Sequence, residues 1–344
     1  MDNSYEELLN KVKDLEKENA SLRAWQGEMN KIVGQMMDIL EQQKNDVRNT
    51  QQYAYVNRLR IESLPYEIMD PTYKPQVFVP QVMSVEETRR QVVEEGKSIG
   101  RYGDGEFGII AGVGRWNFQS ANPLLAEKLI RVLKATEEKF IVGINPNFYG
   151  NMEHLSDADA DGVRAYMRPA VRKLHAQLLD PDKIYGQTGI NNINSDEDVS
   201  SLRKIWDQKK CIFIEGRHTC MGVGNTLFDN CSSIERIICP AENAVDKYDE
   251  IMHEAVKQPK DKLILLALGP TATALAYDLF LEGYQAVDIG HIDLVYEKYI
   301  RKLDNLEDVS IPFKYCNWDE VGERRQIPES DDDTYKSQII KEVL

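Results

Sequence analysis

Two periods of apolar residues divide the chain. Counted in sevens, Leu8, Leu15, Leu22, Met29 and Met36 share one position, and Tyr5, Val12, Asn19, Gln26, Val33, Leu40 and Val47 share the position four residues later. These are the d and a positions of a heptad repeat. The stretch opens on Ser4-x-x-Glu7, a capping box, and meets no proline before Pro65. The pattern predicts a coiled-coil helix over 1–60. Asn19 and Gln26 at a positions weaken the seam but fix its register, and a buried a-position Asn selects two parallel strands, so a homodimer through residues 5–47 is expected. The alternative is a lone amphipathic helix packed back on the main domain.

Pro65, Pro71, Pro75 and Pro80 then interrupt the text, and 61–83 reads as an extended proline-rich linker. From Ser84 to about residue 330, helix-type and strand-type periods alternate. "SVEETRRQVVEEG" is a helix capped by Ser84, and "SIGRY" is the strand after it. "KFIVGINP", "KKCIFIEG", "SIERIICP", "DKLILLALG" and "YQAVDIGHIDL" are further strands, and the helical stretch 156–179 should break at Pro169. Several strands are apolar on both faces, as a covered parallel sheet requires. The fold class is therefore α/β, Rossmann-like, a largely parallel sheet with helices on both faces, preceded by the N-terminal coiled-coil helix. Residues 331–344, with "ESDDD" just before and at their start, read as an acidic, solvated C-terminal tail. In such sheets ligands collect at the carboxyl ends of the strands, so "GDGE", "EGRHTCMGVGN", "GPTAT" and "DIGHID" should converge on one cleft.

Charge narrows the partners. A net charge of −15 over 344 residues, without a basic run, argues against nucleic acid. No stretch approaches the ~18 apolar residues of a spanning helix, so no membrane span is expected. The five cysteines are odd in number and lack C-x-x-C spacing, which points to reduced thiols and a cytoplasmic setting.

The candidate chemistry sits in the loops. If "GDGE" continues the strand, Asp104 and Glu106 point the same way and present two hard oxygen donors, while Gly103 and Gly105 let an anion approach the backbone. Two carboxylates without an all-protein cage suit Mg²⁺ or Mn²⁺ completed by phosphate and water. The alternative is a tight turn whose acids face solvent. Arg101, two residues before Gly103, would hold either the acids or a phosphate. Gly222, Gly224 and Asn225 open a helix after "GVGN", and Pro270 and Thr271 open another after Gly269; both are anion-binding ends in the donor reading and ordinary helix starts in the other. "DIGHID" gathers Asp288, His291 and Asp293, which with Glu215 are candidates for a general base. His154, His175, His218 and His253 lack metal-ligand spacing, and His175 and His253 are expected on helix surfaces.

"RYGDGEF", "GVGNTLFDN", "IICPAENAVDKYDEI", "ALGPTATALAYDL" and "AVDIGHIDLVYEKY" occur in order between about residues 84 and 300, and together they resemble the GT-D-fold glycosyltransferases, a bacterial family first described as a domain of unknown function. The resemblance implies one Rossmann-like domain in which the D-x-E motif, here Asp104 and Glu106, binds Mn²⁺ or Mg²⁺ and a hexose, glucose or galactose, moves from a UDP-sugar. The acceptor it implies is a growing glycan on a bacterial surface glycoprotein or polysaccharide. With the loop residues read above, the candidate catalytic set is Asp104, Glu106, Asp288, His291 and Asp293, and the candidate donor contacts are Arg101, Gly103, Glu215, Gly222, Gly224, Asn225, Pro270 and Thr271. The chain departs from the family pattern just before GVGN, where Cys220 replaces a basic residue.

Two other classes compete. A coiled-coil scaffold with a non-catalytic nucleotide-sugar-binding domain would tolerate loss of the acids, which are intact. A Rossmann oxidoreductase would need G-x-G-x-x-G after the first strand, and a P-loop enzyme G-x-x-x-x-G-K-[ST]; both patterns are absent.

Overall fold

The computed structural model describes residues 3–67, 79–114, 118–150, 152–304, 306–315 and 327–344. The chain divides into two compact units, residues 1–65 with 157–165, and residues 66–156 with 166–344. The first is built on α1, Asn3–Glu67. The helix runs past residue 60, and Pro65 falls in its last described turn. The remaining linker prolines before Val79 lie outside the described residues. The heptad positions from Leu8 to Val47 that are apolar are all exposed.

The second unit is a sheet of nine described strands in the order β1-β4-β3-β2-β8-β7-β5-β6-β9, every pair parallel. The strands are β1 (Gln81–Val82), β2 (Ser98–Arg101), β3 (Phe140–Ile144), β4 (Ile184–Gln187), β5 (Lys210–Gly216), β6 (Ser233–Cys239), β7 (Leu263–Ala267), β8 (Ala286–Asp288) and β9 (Ile339–Glu342). The helices are α2 (Val85–Glu94), α3 (Asp104–Ile110), α4 (Pro123–Leu133), α5 (Asp157–Tyr166), α6 (Pro169–Leu178), α7 (Asp196–Arg203), α8 (Tyr248–Ala255), α9 (Pro270–Leu281), α10 (Ile292–Arg301) and α11 (Asp333–Gln338). β3 and β7 are buried along their whole length, as strands covered on both faces must be. α2 begins where the sequence places it, with Ser84 Oγ accepting the Glu87 N–H at 3.1 Å, and α6 begins at Pro169. No helix among the described residues is long and apolar enough to cross a membrane.

Three segments depart from the sequence reading. Asp104–Ile110 is a helix, not an extension of β2: Gly105 and Ile109, four residues apart, share its buried side, and Glu106 caps its start. Residues 225–230 form turns, so GVGN opens no helix. Residues 331–344 are not a solvated tail: Asp332 caps α11 through Tyr335 N–H at 2.7 Å, and Ile339–Glu342 adds a ninth strand beside β6. The buried rings and chains of Tyr335 and Val343 drive that docking.

Candidate active site

The carboxyl ends of β2, β5, β7 and β8 lie side by side in the sheet. On that edge α3 follows β2 after two residues, so Asp104 and Glu106 occupy the first and third helical positions, roughly 200° apart around the axis rather than on one side. Their surroundings differ accordingly. Asp104 is exposed, whereas Glu106 is buried and its Oε2 accepts the Gly103 N–H at 2.7 Å. Both acids favour a helix N-terminus electrostatically, and the Glu106 cap fixes the turn from which Asp104 projects. Beneath them, the Phe107 ring packs between Tyr102, at 5.5 Å, and His175, stacked at 3.8 Å. His175 was expected on a helix surface but is 1% exposed. Its Nδ1 meets Tyr149 Oη at 2.8 Å and its Nε2 meets Tyr166 Oη at 3.1 Å, and burial lowers its pKa to about 3.

As a metal site, this donor set has a definite character. Among the described residues no three His, Cys, Asp or Glu side chains come together to hold an ion. Two hard carboxylates, one exposed and one fixed by the backbone, fit Mg²⁺ or Mn²⁺ bound jointly with phosphate oxygens and water.

Arg101 does not bridge the acids. Its Nη1 donates to Thr188 O at 3.0 Å and its Nη2 faces Asp288 Oδ1 at 3.4 Å. Asp288 is 4% exposed and also accepts from Thr273 Oγ1 and from the Gly290 N–H, both at 3.1 Å. Gly290 has φ +52°, and a Cβ there would strike the Arg101 guanidinium, so this pairing needs glycine. Asp288 is thus a joint between β2 and β8 and is unavailable to a substrate.

Asp293 and Glu215 prove to be struts for the glycine loop. Asp293 Oδ1 accepts from the Gly222 N–H and from Asn225 Nδ2, both at 2.8 Å, and its Oδ2 accepts from Lys314 Nζ at 2.6 Å. Asn225 Nδ2 also reaches Glu297 Oε1 at 2.7 Å. Glu215, fully buried, accepts the Met221 N–H at 2.8 Å and pairs with Arg236, whose Nη2 donates to Met221 O. Burial pushes the Glu215 carboxyl up, against the pull of the Arg236 charge. Gly222 holds φ +77° with Phe228 directly below it; the loop is a pinned, left-handed turn rather than a helix end. Asn225 is therefore spent inside the protein, while Gly224 remains exposed. Sequence reasoning missed Lys314 and Arg236; a lone charge in an apolar context was their only signal.

Pro270 and Thr271 are buried, and Thr271 Oγ1 donates to Gln119 Oε1 at 3.4 Å. The Phe118 ring lies against Gly269, and it stacks with Tyr315 at 6.3 Å between centroids and 18° between planes. Together with Thr219, Ala267, Gly290, His291 and Asp293, these residues enclose a cavity of about 80 Å³. Three of the four expected loops thus converge. The fourth, Asp104-Gly105, lines a separate cavity with Tyr166 and Val171. Of the four candidate bases, His291 alone is exposed.

Comparison with known proteins agrees with this architecture. A family model described as "Glycosyltransferase GT-D fold" matches residues 99–318. The chain is 34% identical over 274 residues to a probable glycosyl transferase Gly of Streptococcus gordonii, covering 75% of this chain and 38% of that protein. It is 31% identical over 280 residues to glycosyltransferase GlyD of Streptococcus pneumoniae serotype 4, covering 77% and 33%. The chain thus spans little more than a third of these relatives. A solved structure described as domain of unknown function 1792, with a distinct glycosyltransferase fold, superposes with a TM-score of 0.70 at 30% identity, over 77% of this chain and 96% of the other. A glycosyltransferase of the same domain from Streptococcus sanguinis gives 0.69 at 31%, over 77% and 100%. The chain belongs to the glycosyltransferases of the GT-D fold.

Proposed function

We propose that this chain transfers a hexose, glucose or galactose, from a UDP-sugar to a growing glycan on a bacterial surface glycoprotein or polysaccharide, in the cytoplasm, with Mn²⁺ or Mg²⁺ held by Asp104 and Glu106. The observation that carries this reading is the D-x-E pair on the first turn after β2, at the carboxyl edge of a GT-D sheet. A divalent ion there supplies Lewis-acid stabilisation of the charge that develops on the departing diphosphate, a contribution of several kcal/mol.

The chain's own residues do the rest. Glu106, tied to the Gly103 N–H, keeps the first turn of α3 rigid, and Asp104 projects from it toward solvent. The loop at Gly222–Gly224, braced by Asp293 and Glu215, offers backbone that does not have to reorganise when an anion arrives. An acceptor oxygen attacks the anomeric carbon, the bond from that carbon to the β-phosphate oxygen breaks, and UDP leaves with the electron pair. The acceptor proton passes to His291, the exposed member of the four candidate bases.

The exposed a and d positions of α1 support pairing with a second copy through residues 5–47. The decisive assay is hydrolysis and transfer by the purified chain with UDP-, GDP- and dTDP-sugars, with and without Mn²⁺. Turnover of a UDP-hexose that depends on the metal, and that Asp104→Ala and Glu106→Ala each abolish, is expected. Activity of either variant within a few-fold of wild type removes the D-x-E pair from the mechanism.

A further inference from the structure

A cavity of about 500 Å³, within the ~300–1,000 Å³ of small-molecule sites, is lined by the glycine loop, the first half of β6 and α11. It is distinct from the cleft that holds His291, yet one hydrogen bond joins the two linings. Gly222 belongs to this cavity, and Asp293, which accepts the Gly222 N–H at 2.8 Å, belongs to the cleft. The proposed transfer uses none of its side chains. Arg236, 2% exposed, is the one cation among the described residues of the lining, and each of its nitrogens has a protein partner. Nη1 pairs with Glu215, Nη2 donates to Met221 O at 2.8 Å, and Nε donates to Gln338 Oε1 at 2.8 Å. The guanidinium also lies over the rings of Phe213, at 4.9 Å, and Tyr335, at 4.8 Å. Two exposed acids, Asp229 and Asp332, carry the other charges of the lining. The cavity is therefore net negative, with its cation already committed. Exposed hydroxyls come from Ser233 and Thr334, and buried rings from Phe228 and Tyr335.

We propose that this cavity is a second, non-catalytic saccharide site that takes a neutral hexose unit. The proposal is independent of the donor reading, because it rests on the chemistry of this lining alone. Sugar hydroxyls both donate and accept, so they pair with carboxylates, with the Ser233 and Thr334 hydroxyls and with the Gln338 amide, whose Oε1 is taken by Arg236 and whose Nε2 is left as the donor. The C–H face of a pyranose has a match in the aromatic rings. A phosphate or uronic acid has none: it would bring a negative charge beside Asp229 and Asp332 and find Arg236 already neutralised by Glu215. An apolar ligand would strip water from the same acids and hydroxyls without replacing their hydrogen bonds.

Calorimetry of the full chain with methyl β-glucoside and methyl β-glucuronide, which differ by one carboxylate, tests the charge selection. The glucoside should bind about tenfold tighter or more. Asp229→Asn combined with Asp332→Asn removes both charges, keeps a good capping residue at 332, and should bring the two affinities within about threefold. Ser233→Trp and Thr334→Trp, at exposed positions on two different elements, each place an indole in the cavity and should abolish glucoside binding, with far-ultraviolet circular dichroism and the urea midpoint unchanged. Saturating UDP with Mn²⁺ should not displace the glucoside. Four results overturn the proposal: no glucoside binding, equal affinity for the two glycosides in the wild type, undiminished binding in a folded filling variant, or displacement by UDP. None of these measurements involves turnover, so they stand or fall apart from the transferase reading, which donor hydrolysis decides.

Discussion

Lowering the pH should destabilise the catalytic unit through His175, by an amount that the packing sets. The imidazole is 1% exposed, stacked on Phe107 and bonded at both nitrogens by tyrosine hydroxyls. Burial, reinforced by the Arg172 charge, lowers its pKa from 6.5 to about 3, so the folded state holds it neutral while the unfolded chain protonates it below about 6.5. Its contribution is therefore complete above the unfolded value and is lost as pH falls from there toward about 3. Between pH 7 and pH 5 the unfolded state gains about 0.7 of a proton that the folded state refuses, which costs about 2 kcal/mol, or about 1 M in a urea midpoint. His175→Phe keeps the stack on Phe107 and cannot titrate; it leaves two buried hydroxyls unpaired, which is a pH-independent offset of about 1–3 kcal/mol. Urea unfolding followed by near-ultraviolet circular dichroism, on wild type and variant at both pH values, separates the two effects. Wild type should lose about 2 kcal/mol more than the variant on acidification. Equal losses would show that the imidazole is not held neutral and would refute the reasoning.

Three further outcomes follow from the same geometry. Gly290→Ala forces a Cβ into the Arg101 guanidinium at a positive φ and should destabilise by about 1–3 kcal/mol in chemical denaturation, with loss of donor turnover; a neutral result would remove the Arg101–Asp288 joint from the fold's supports. Lys314→Met leaves Asp293 and Glu297 without their buried cation and should cost about 3–5 kcal/mol by denaturation, part of it regained in the Lys314→Met, Asp293→Asn double variant. A chain beginning at Ser84 should be monomeric by light scattering where the full chain is dimeric; a monomeric full chain at micromolar concentration would leave the heptads unexplained.

The sheet was readable because parallel strands carry a loud signal: runs such as Leu263–Ala267 have no polar face to hide. The start of α3 was not, because Gly-Asp-Gly-Glu is also the composition of a turn. The distinguishing feature was present in Gly103 followed three residues later by Glu106, a glycine version of the capping box, and it is decided by whether Phe107 finds a buried partner. That partner, His175, lies far along the chain, so no local reading of either segment could reveal it. The docking of Ile339–Glu342 was hidden for a similar reason: four residues after an acidic run carry little pattern, and the free edge of β6 that accepts them exists only in the folded sheet.

The acids of the site show most directly how burial assigns roles that residue type leaves open. Asp104, Glu215, Asp288 and Asp293 are alike in sequence as carboxylates beside glycines at strand ends. In the fold, Glu215, Asp288 and Asp293 are each less than 5% exposed, and each meets a backbone N–H and a cation, Arg236 and Lys314 buried and Arg101 partly so. A carboxylate so placed is costly to disturb, since removing either partner strands a charge away from water, and it is therefore suited to hold glycine-rich backbone in one conformation. Asp104 has the opposite setting: it is exposed, at a positively polarised helix end, on a turn made rigid by its neighbour Glu106. In the proposed mechanism, that contrast assigns the metal to α3 and the base to His291. If the glycine loop receives the donor diphosphate as proposed, the struts gain a catalytic consequence without catalytic contact, because a loop that presents fixed N–H donors needs anchors that do not yield when the charge arrives.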